Sequence, residues 1–471
     1  MTEKINTLLR DSKAARWTAL VLLASAMFFA YMFVDILSPL QALLQETRGW
    51  GPDDYGTYAG SETFLNVFVF FLIFAGIILD KIGVRNTALL SSTLMVIGTI
   101  VKYWAVSDAF IGSAADEFLK DFWTFFPFSE TTSSSAKMAS FAFMIFGCGV
   151  EMAGITVSRA IAKWFAGKEM ALAMGLEMAI ARLGVFAVFW LSPIVANGSL
   201  FGGGVPASVA FCTVLLLIGL INFIVFSIMD KKLDNQTDAV ENSSSEDEEF
   251  KFSDIGKIFS SKMFWIIALL CVLYYSAIFP FQRYSTNFLE CTLNIPASEA
   301  SQLFSWFPIL AMVLTPFLGS FIDYKGKGAS MLMYGALIMI ICHLSFAFLL
   351  PAFPSKWLAL CIIVILGVSF SLVPAALWPS VPKVIDGKIL GSAYALIFWI
   401  QNIGLCFVPK IIGNVLSATN ASNIENGLPY DYTTCMIIFA SFGVIAFILG
   451  ILLKIEDKKK GYGLELPNVK K

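Results

Sequence analysis

The chain has 471 residues, of which 58% are hydrophobic and only 14% are charged, and its formal net charge at pH 7 is −2. So few charged residues cannot cover the surface of a soluble chain of this size, which leaves the lipid bilayer as the expected solvent. The small net charge indicates no nucleic-acid partner, and the 8 cysteines show no CxxC or paired spacing that would predict a metal site or a disulfide framework.

Apolar runs long enough to cross a bilayer, about 20 residues each, occur in two sets. The first set begins near Trp17, Ala59, Thr87, Lys137, Met170 and Ala207. The second set begins near Lys262, Ala300, Gly328, Lys356, Lys388 and Thr433. Between them, residues 230–261 are too charged and too poor in apolar residues to fold alone, so we interpret this stretch as a linker.

We therefore predict an all-α membrane protein with 12 transmembrane helices in two pseudo-symmetric six-helix bundles. The N-terminal bundle is expected over 17–229 and the C-terminal bundle over 262–455, with tails at 1–16 and 456–471. Lysine and arginine, which are retained on the cytoplasmic side during insertion, concentrate in the tails, the linker and alternate loops. This pattern places both termini and the acidic linker in the cytoplasm, and the long loop 107–136 outside.

A short motif occurs at equivalent places in the two halves. Its residues are Gly76, Asp80, Lys81, Gly83 and Arg85 in the first half, and Gly319, Asp323, Gly326 and Lys327 in the second. Both copies resemble the signature G-x-x-x-D-[RK]-x-G-x-R of the major facilitator superfamily. The alternative, ordinary turn residues with cytoplasmic charges, is credible for one copy but not for two in register.

The resemblance implies that the motif is a conformational latch that favours the outward-open state. We expect Gly76 to let two helices approach closely, Asp80 to meet a helix N-terminus, and Arg85 to supply the opposing charge. In the second copy Tyr324 stands where a basic residue is usual, so this latch is expected to be weaker.

Charged side chains at bilayer depth are costly and are therefore candidate functional groups. At 1.5 Å per helical residue, counted from nearby cytoplasmic charges, Glu151 and Arg182 lie about 12 and 20 Å into the membrane. A carboxylate and a guanidinium facing one cavity suit a zwitterion: Arg182 would bind its carboxylate and Glu151 its ammonium. The alternative is a structural ion pair of Arg182 with Glu151 or Glu177.

Other intramembrane candidates are more ambiguous. Asp35 is a candidate proton-coupling group, or it simply faces an outer vestibule. Arg283 faces either the cavity or the outer interface, whereas Lys102 and Lys410 are expected to extend towards the outer interface. Among the aromatic residues, Tyr275 and Trp378 are the candidates for contact with substrate, since they lie in helices expected to line the cavity.

A closer resemblance is to the lysosomal dipeptide transporter group called major facilitator superfamily domain-containing protein one, with its bacterial relatives. It rests on Gly147-x-Gly149-x-Glu151, on Ala181-Arg182-Leu183-Gly184, and on Ala376-Leu377-Trp378-Pro379. The resemblance implies dipeptides or related zwitterions as substrates, with Glu151 and Arg182 as the acidic and basic binding positions. Because the acidic dileucine sorting signal of the animal members is not matched, we expect a bacterial inner (plasma) membrane, with the lysosomal membrane as the alternative.

Two other functions fit the same sequence. An organic anion or monocarboxylate porter would need Arg182 but not Glu151, and a non-transporting receptor or scaffold would use the same fold without flux. We expect no enzyme and no cofactor, because no nucleotide-binding loop, metal cluster or nucleophile with a histidine partner is present. A monomer is expected, with protons as the candidate coupling ion.

Overall fold

The computed structural model describes residues 8–237 and 255–467. Its N-terminal half contains α1 (Lys13–Val34), α2 (Pro52–Ser61, Phe64–Phe68 and 71–82), α3 (84–105), α4 (Ser134–Trp164), α5 (Met170–Asn197) and α6 (Gly204–Thr237). Its C-terminal half contains α7 (Lys262–Leu293), α8 (Ala297–Phe304 and Trp306–Lys325), α9 (Gly328–Leu344), α10 (Lys356–Val384), α11 (Leu390–Thr419) and α12 (Thr433–Lys460).

The predicted 12-helix membrane fold is confirmed. Within the described residues, 11 continuous helical stretches are long and apolar enough to cross a membrane. The remaining span, α2, is interrupted near Glu62 and near Phe70, and it joins α3 through a kink at Gly83. Gly83 has φ 76°, a backbone conformation that residues with a side chain rarely adopt, so the motif glycine makes this turn possible.

The helix ends differ slightly from the predicted domain limits. α6 continues to Thr237 and α12 to Lys460, beyond the expected bundle ends at 229 and 455. The acidic core of the predicted linker, 238–254, lies outside the described residues. A short helix, Ile255–Phe259, precedes α7.

Each half is a bundle with its own helix contacts. In the first half α1 packs on α5 and α6, and α3 packs on α4 and α6. In the second half α7 packs on α11 and α12, α8 on α10, and α9 on α10 and α12. The two halves meet where α2 contacts α11 and where α5 contacts α8.

Glycines show how closely the halves meet on the predicted outer side. A Cβ atom added at Gly56 would lie 2.6 Å from the carbonyl oxygen of Pro409, and one added at Gly60 would lie 2.1 Å from that of Cys406. Both contacts join α2 to α11, and both involve backbone atoms that cannot rotate away. The absence of a Cβ at these positions therefore allows the outer ends of the halves to close on each other.

At the predicted cytoplasmic ends the same test gives the opposite result. A Cβ added at Gly76 or at Gly319 would meet no atom of the described residues within 4 Å. On the facing helices α5 and α8, the side chains of Met178 and Phe317 are 67% and 70% exposed. The halves are thus closed outside and apart inside, which is an inward-facing conformation. The close helix approach expected at Gly76 is absent in this conformation.

Candidate functional site

Arg182 lies in the middle of α5 and points at the opposite half of the protein. Its guanidinium carbon lies 5.4 Å from the ring centre of Phe370 on α10 and 6.0 Å from that of Phe279 on α7. Such contacts stabilise a cation through the electron-rich faces of the rings. Within the described residues Arg182 forms no ion pair, so the predicted alternative of a structural pair with Glu151 or Glu177 is wrong for this conformation.

Glu151 lies on α4 at the same depth as Arg182. It is 13 residues from the cytoplasmic end of α4 at Trp164, and Arg182 is 12 residues from the start of α5 at Met170. At 1.5 Å per residue these positions are about 20 and 18 Å deep, so the expected difference in depth of about 8 Å is wrong. The error arose because α4 continues beyond Arg159, the residue from which the depth of Glu151 was counted.

The surroundings of Glu151 come from both halves. The side chain of Asn402 on α11 lies close to its carboxylate. On α1, the Tyr31 hydroxyl lies within electrostatic range of Arg182, Glu151 and Glu177. These side chains therefore surround one central space. Tyr31 was among the aromatic residues expected near the cavity helices but was not chosen as a candidate, and Asn402 was not predicted as a member of the site.

The C-terminal half contributes an aromatic wall opposite Arg182. Tyr275 stacks on Phe279 with ring centres 5.2 Å apart, and Phe370 packs edge-on against both rings, 6.0 and 5.5 Å away. The Tyr275 hydroxyl lies close to the Trp378 side chain, which stacks on Phe398 at 4.9 Å. Tyr275 and Trp378, the two predicted aromatic candidates, thus lie together in this wall.

A layer of buried charges joins the halves between this space and the outer surface. The Asp35 carboxylate accepts hydrogen bonds from Gln282 Nε2 (2.7 Å) and from Ser38 Oγ (3.1 Å). One residue further along α7, Arg283 forms an ion pair with Glu62 on α2. Asp35 is only 2% exposed, so the alternative in which it faces an open outer vestibule is wrong for this conformation.

Two other expected positions near the outer surface also differ. Arg283 does not extend to the interface, since only 11% of its side chain is exposed in the pair with Glu62. Lys102 is 0% exposed and its Nζ donates to the Tyr58 hydroxyl at 2.8 Å, with the rings of Phe33 and Phe143 at 3.9 and 3.6 Å. The prediction that Lys102 extends to the interface is therefore wrong, because α3 turns this side chain towards α2 and α4.

The first motif copy is joined to its own half by charges. Asp80 pairs with Arg159 on α4, and the Arg85 guanidinium lies 3.6 Å from the Asp234 carboxylate on α6. Lys163 joins the network by pairing with Asp234 at 2.5 Å. The contacts of Asp80 and Arg85 described here are thus made inside the N-terminal half, and the latch function of both copies stays a prediction.

The family described as Major Facilitator Superfamily matches residues 23–409 of the sequence. The chain belongs to this superfamily. It is therefore an integral membrane transporter of the major facilitator type and not an enzyme. No group of three or more metal-binding side chains occurs within the described part of the chain.

Relatives of this major facilitator chain agree with that assignment. The zebrafish (Danio rerio) protein named lysosomal dipeptide transporter MFSD1 is 25% identical over 450 residues, covering 93% of this chain and 86% of the relative. The human protein of the same name is 26% identical over 412 residues, covering 86% of this chain and 81% of the relative.

Solved structures show the same fold. An inward-facing, occupied structure of a bacterial homologue of the human lysosomal transporter Spinster has a TM-score of 0.68 at 15% identity, covering 95% of this chain and 98% of the other. An inward-open structure of the xylose transporter XylE from E. coli also has a TM-score of 0.68, at 12% identity, covering 93% of this chain and 96% of the other.

Proposed function

We propose that this transporter moves dipeptides or related zwitterions across the membrane by alternating access. Arg182 binds the substrate carboxylate, and Glu151 binds its ammonium group. The observation that carries the proposal is a guanidinium at mid-membrane without an ion pair among the described residues, at the same depth as a half-buried carboxylate. Charged groups this deep are costly, so a solute that pairs with both is stabilised strongly.

The aromatic wall suits the remainder of such a substrate. Tyr275 and Trp378 offer flat apolar surface with a hydroxyl and an indole N–H at the edge, which can flank an amide while accepting varied side chains. The names of the relatives support the same substrate class, because proteins called dipeptide transporters match nearly the whole chain at about a quarter identity.

An organic anion porter is the second candidate, favoured by the same lack of an ion pair at Arg182. The two candidates differ in their need for Glu151. A dipeptide requires a partner for its ammonium group, whereas a monocarboxylate does not.

The test is uptake of labelled dipeptides into proteoliposomes, with and without an inward proton gradient. Arg182→Ala and Glu151→Gln should each lower kcat/KM at least roughly 30-fold, since losing one partner of a buried charge contact costs about 2 kcal/mol or more. Glu177→Gln tests the other half-buried carboxylate of the central space, because the proposal assigns the ammonium group to Glu151 alone. Its uptake should stay within twofold of the parent.

Two results would reject the dipeptide proposal. Uptake of monocarboxylates that survives Glu151→Gln but not Arg182→Ala would establish the anion porter instead. An absence of uptake for both classes in the parent protein would favour a receptor or scaffold. If the proton gradient accelerates uptake, Asp35→Asn tests the proposed coupling role of Asp35, and loss of gradient dependence is expected.

A further inference from the structure

The chain folds back on itself after α12. Gly461, with φ 72°, ends the helix and reverses the direction of the backbone. The following tail, residues 461–467, then runs beside the loop between α8 and α9. There the backbone N–H of Lys327 donates to the Glu465 carbonyl, and that of Gly328 donates to the Leu464 carbonyl, both at 3.0 Å. The tail thus contacts the second copy of the repeated motif.

The Glu465 carboxylate caps the N-terminus of α9. It accepts the backbone N–H of Ser330 at 2.7 Å and the Ser330 hydroxyl at 2.9 Å. The first N–H groups of any helix lack partners within that helix, and here the tail supplies acceptors for three donors at or beside the helix start. Lys454 of α12 donates to the same hydroxyl at 2.7 Å, which connects α9, α12 and the tail.

Further contacts fix the tail in place. The backbone N–H of Leu464 donates to the Asp457 carboxylate at 3.0 Å, and Lys383 Nζ donates to the Gly463 carbonyl at 3.1 Å. Leu464 is 2% exposed. A Cβ added at Gly326 would lie 2.4 Å from the Glu465 carbonyl oxygen, so the motif glycine is what lets the tail pass so closely.

The internal repeat explains why a tail is needed here. In the first half Arg85, nine residues after Gly76, pairs with Asp234 at the end of α6. The residue nine after Gly319 is Gly328, which offers no charge. The C-terminal half therefore lacks the arginine of this pair.

The C-terminal half also lacks a counterpart of Asp234, the aspartate at the end of α6 that pairs with Arg85. In the first half Asp230 binds Lys163 at 2.8 Å, and Asp234 follows four residues later. In the second half an aspartate, Asp457, likewise lies near the end of α12, and the residue four later is Gly461. The C-terminal half thus has Gly328 and Gly461 where the first half has the charged pair of Arg85 and Asp234, and the tail lies where that pair would be.

We propose that residues 461–467 are a brace that replaces the Arg85–Asp234 contact in the C-terminal half, and that transport depends on it. Without the tail, the start of α9 loses acceptors for its N–H groups and the second motif loses its defined shape. The brace compensates for the weakness that Tyr324 and Gly328 introduce into this motif.

Hydrogen–deuterium exchange of the full-length protein in nanodiscs tests the proposal. Removing residues 461–471 should speed amide exchange in 326–331 at least tenfold, and Glu465→Gln should do so at least threefold, while 83–90 in the first half stays unchanged. Asp234→Asn should instead speed amide exchange in 83–90 and leave exchange in 326–331 unchanged. Removal of 468–471 alone is the matched control and should change neither segment.

Uptake provides the second measurement. The 461–471 deletion and Glu465→Gln should both lower initial uptake rates at least twofold, with the 468–471 deletion unchanged. Exchange in 326–331 within twofold of the parent in Glu465→Gln, or unaltered uptake in that variant, would overturn the proposal. If the protein lacking residues 461–471 does not accumulate in the membrane, the exchange rates and uptake of Glu465→Gln alone decide the outcome.

Discussion

Replacing Arg283 with methionine should open the outer side of the protein. Its ion pair with Glu62 crosses the two halves, and removing one partner of a buried pair costs about 3–5 kcal/mol. Because 11% and 15% of the two side chains remain exposed, we take the lower end, about 3 kcal/mol. An outward-open state returns Glu62 to water and avoids this cost, so its population relative to the inward-facing state should rise roughly 100-fold.

Cys406 is a built-in probe for this change. It is 4% exposed beside Gly60 in the closed outer contact, and separation of α2 from α11 would uncover it. In a variant whose only cysteine is Cys406, a membrane-impermeant maleimide added outside should react much faster after Arg283→Met. Adding Glu62→Gln should slow the reaction again, because the uncompensated charge is gone.

The matched control is an outer ion pair that does not cross the halves. Lys356 and Glu299 lie 2.5 Å apart within the C-terminal half, and 52% and 44% of their side chains are exposed. Breaking such a pair costs about 0–1 kcal/mol, so Lys356→Met should leave Cys406 labelling unchanged. If Arg283→Met also leaves the labelling rate within twofold of the parent, the reasoning about this pair is refuted.

Four further predictions concern a glycine, two buried lysines and the aromatic wall. Gly60→Ala should uncover Cys406 to outside labelling, because its Cβ would lie 2.1 Å from a carbonyl oxygen across the halves, whereas Gly76→Ala, with open space around it, should not. Lys137→Met should lower the thermal stability and loosen the outer loop to protease, since its Nζ holds three backbone carbonyls at 2.9–3.2 Å. Lys102→Met should change the unfolding free energy by less than about 1 kcal/mol, as relief of a buried charge offsets one lost hydrogen bond. Phe370→Leu should weaken substrate binding roughly fivefold, about 1 kcal/mol, by removing one of the two rings that hold Arg182, and a binding isotherm in detergent would check it.

The helices and the repeated motif were predictable because their signals are local. A run of apolar residues reports that a helix crosses the membrane, and the spacing from Gly76 to Arg85 identifies a turn. The breaks in α2 gave no comparable signal, because hydropathy does not distinguish a continuous helix from one interrupted near Glu62. The intramembrane charges also appear in the sequence as exceptions to the apolar pattern, which is why Glu151 and Arg182 were found.

The partners of these charges were not predictable from one sequence. Glu62 and Arg283 are 221 residues apart, and the rings that hold Arg182 come from α7 and α10. Composition does not tell which face of a helix meets which neighbour, so Lys102 was placed at the interface although it is fully buried. Only the tertiary fold, which sets helix rotation and depth, determines these contacts.

The chemistry of the outer layer suits a contact that must open in every transport cycle. A seam of apolar side chains gains stability from closure and resists the return to water. A buried ion pair gains little net stability, because its mutual attraction is offset by the loss of hydration, and water restores that hydration when the halves part. The pair of Arg283 with Glu62 and the hydrogen bond from Gln282 to Asp35 can therefore specify closure without making it irreversible. Deeper in the protein, Arg182 and Glu151 lack ion pairs among the described residues. Under the proposed function, a zwitterionic substrate would supply both charges and leave again when the halves separate.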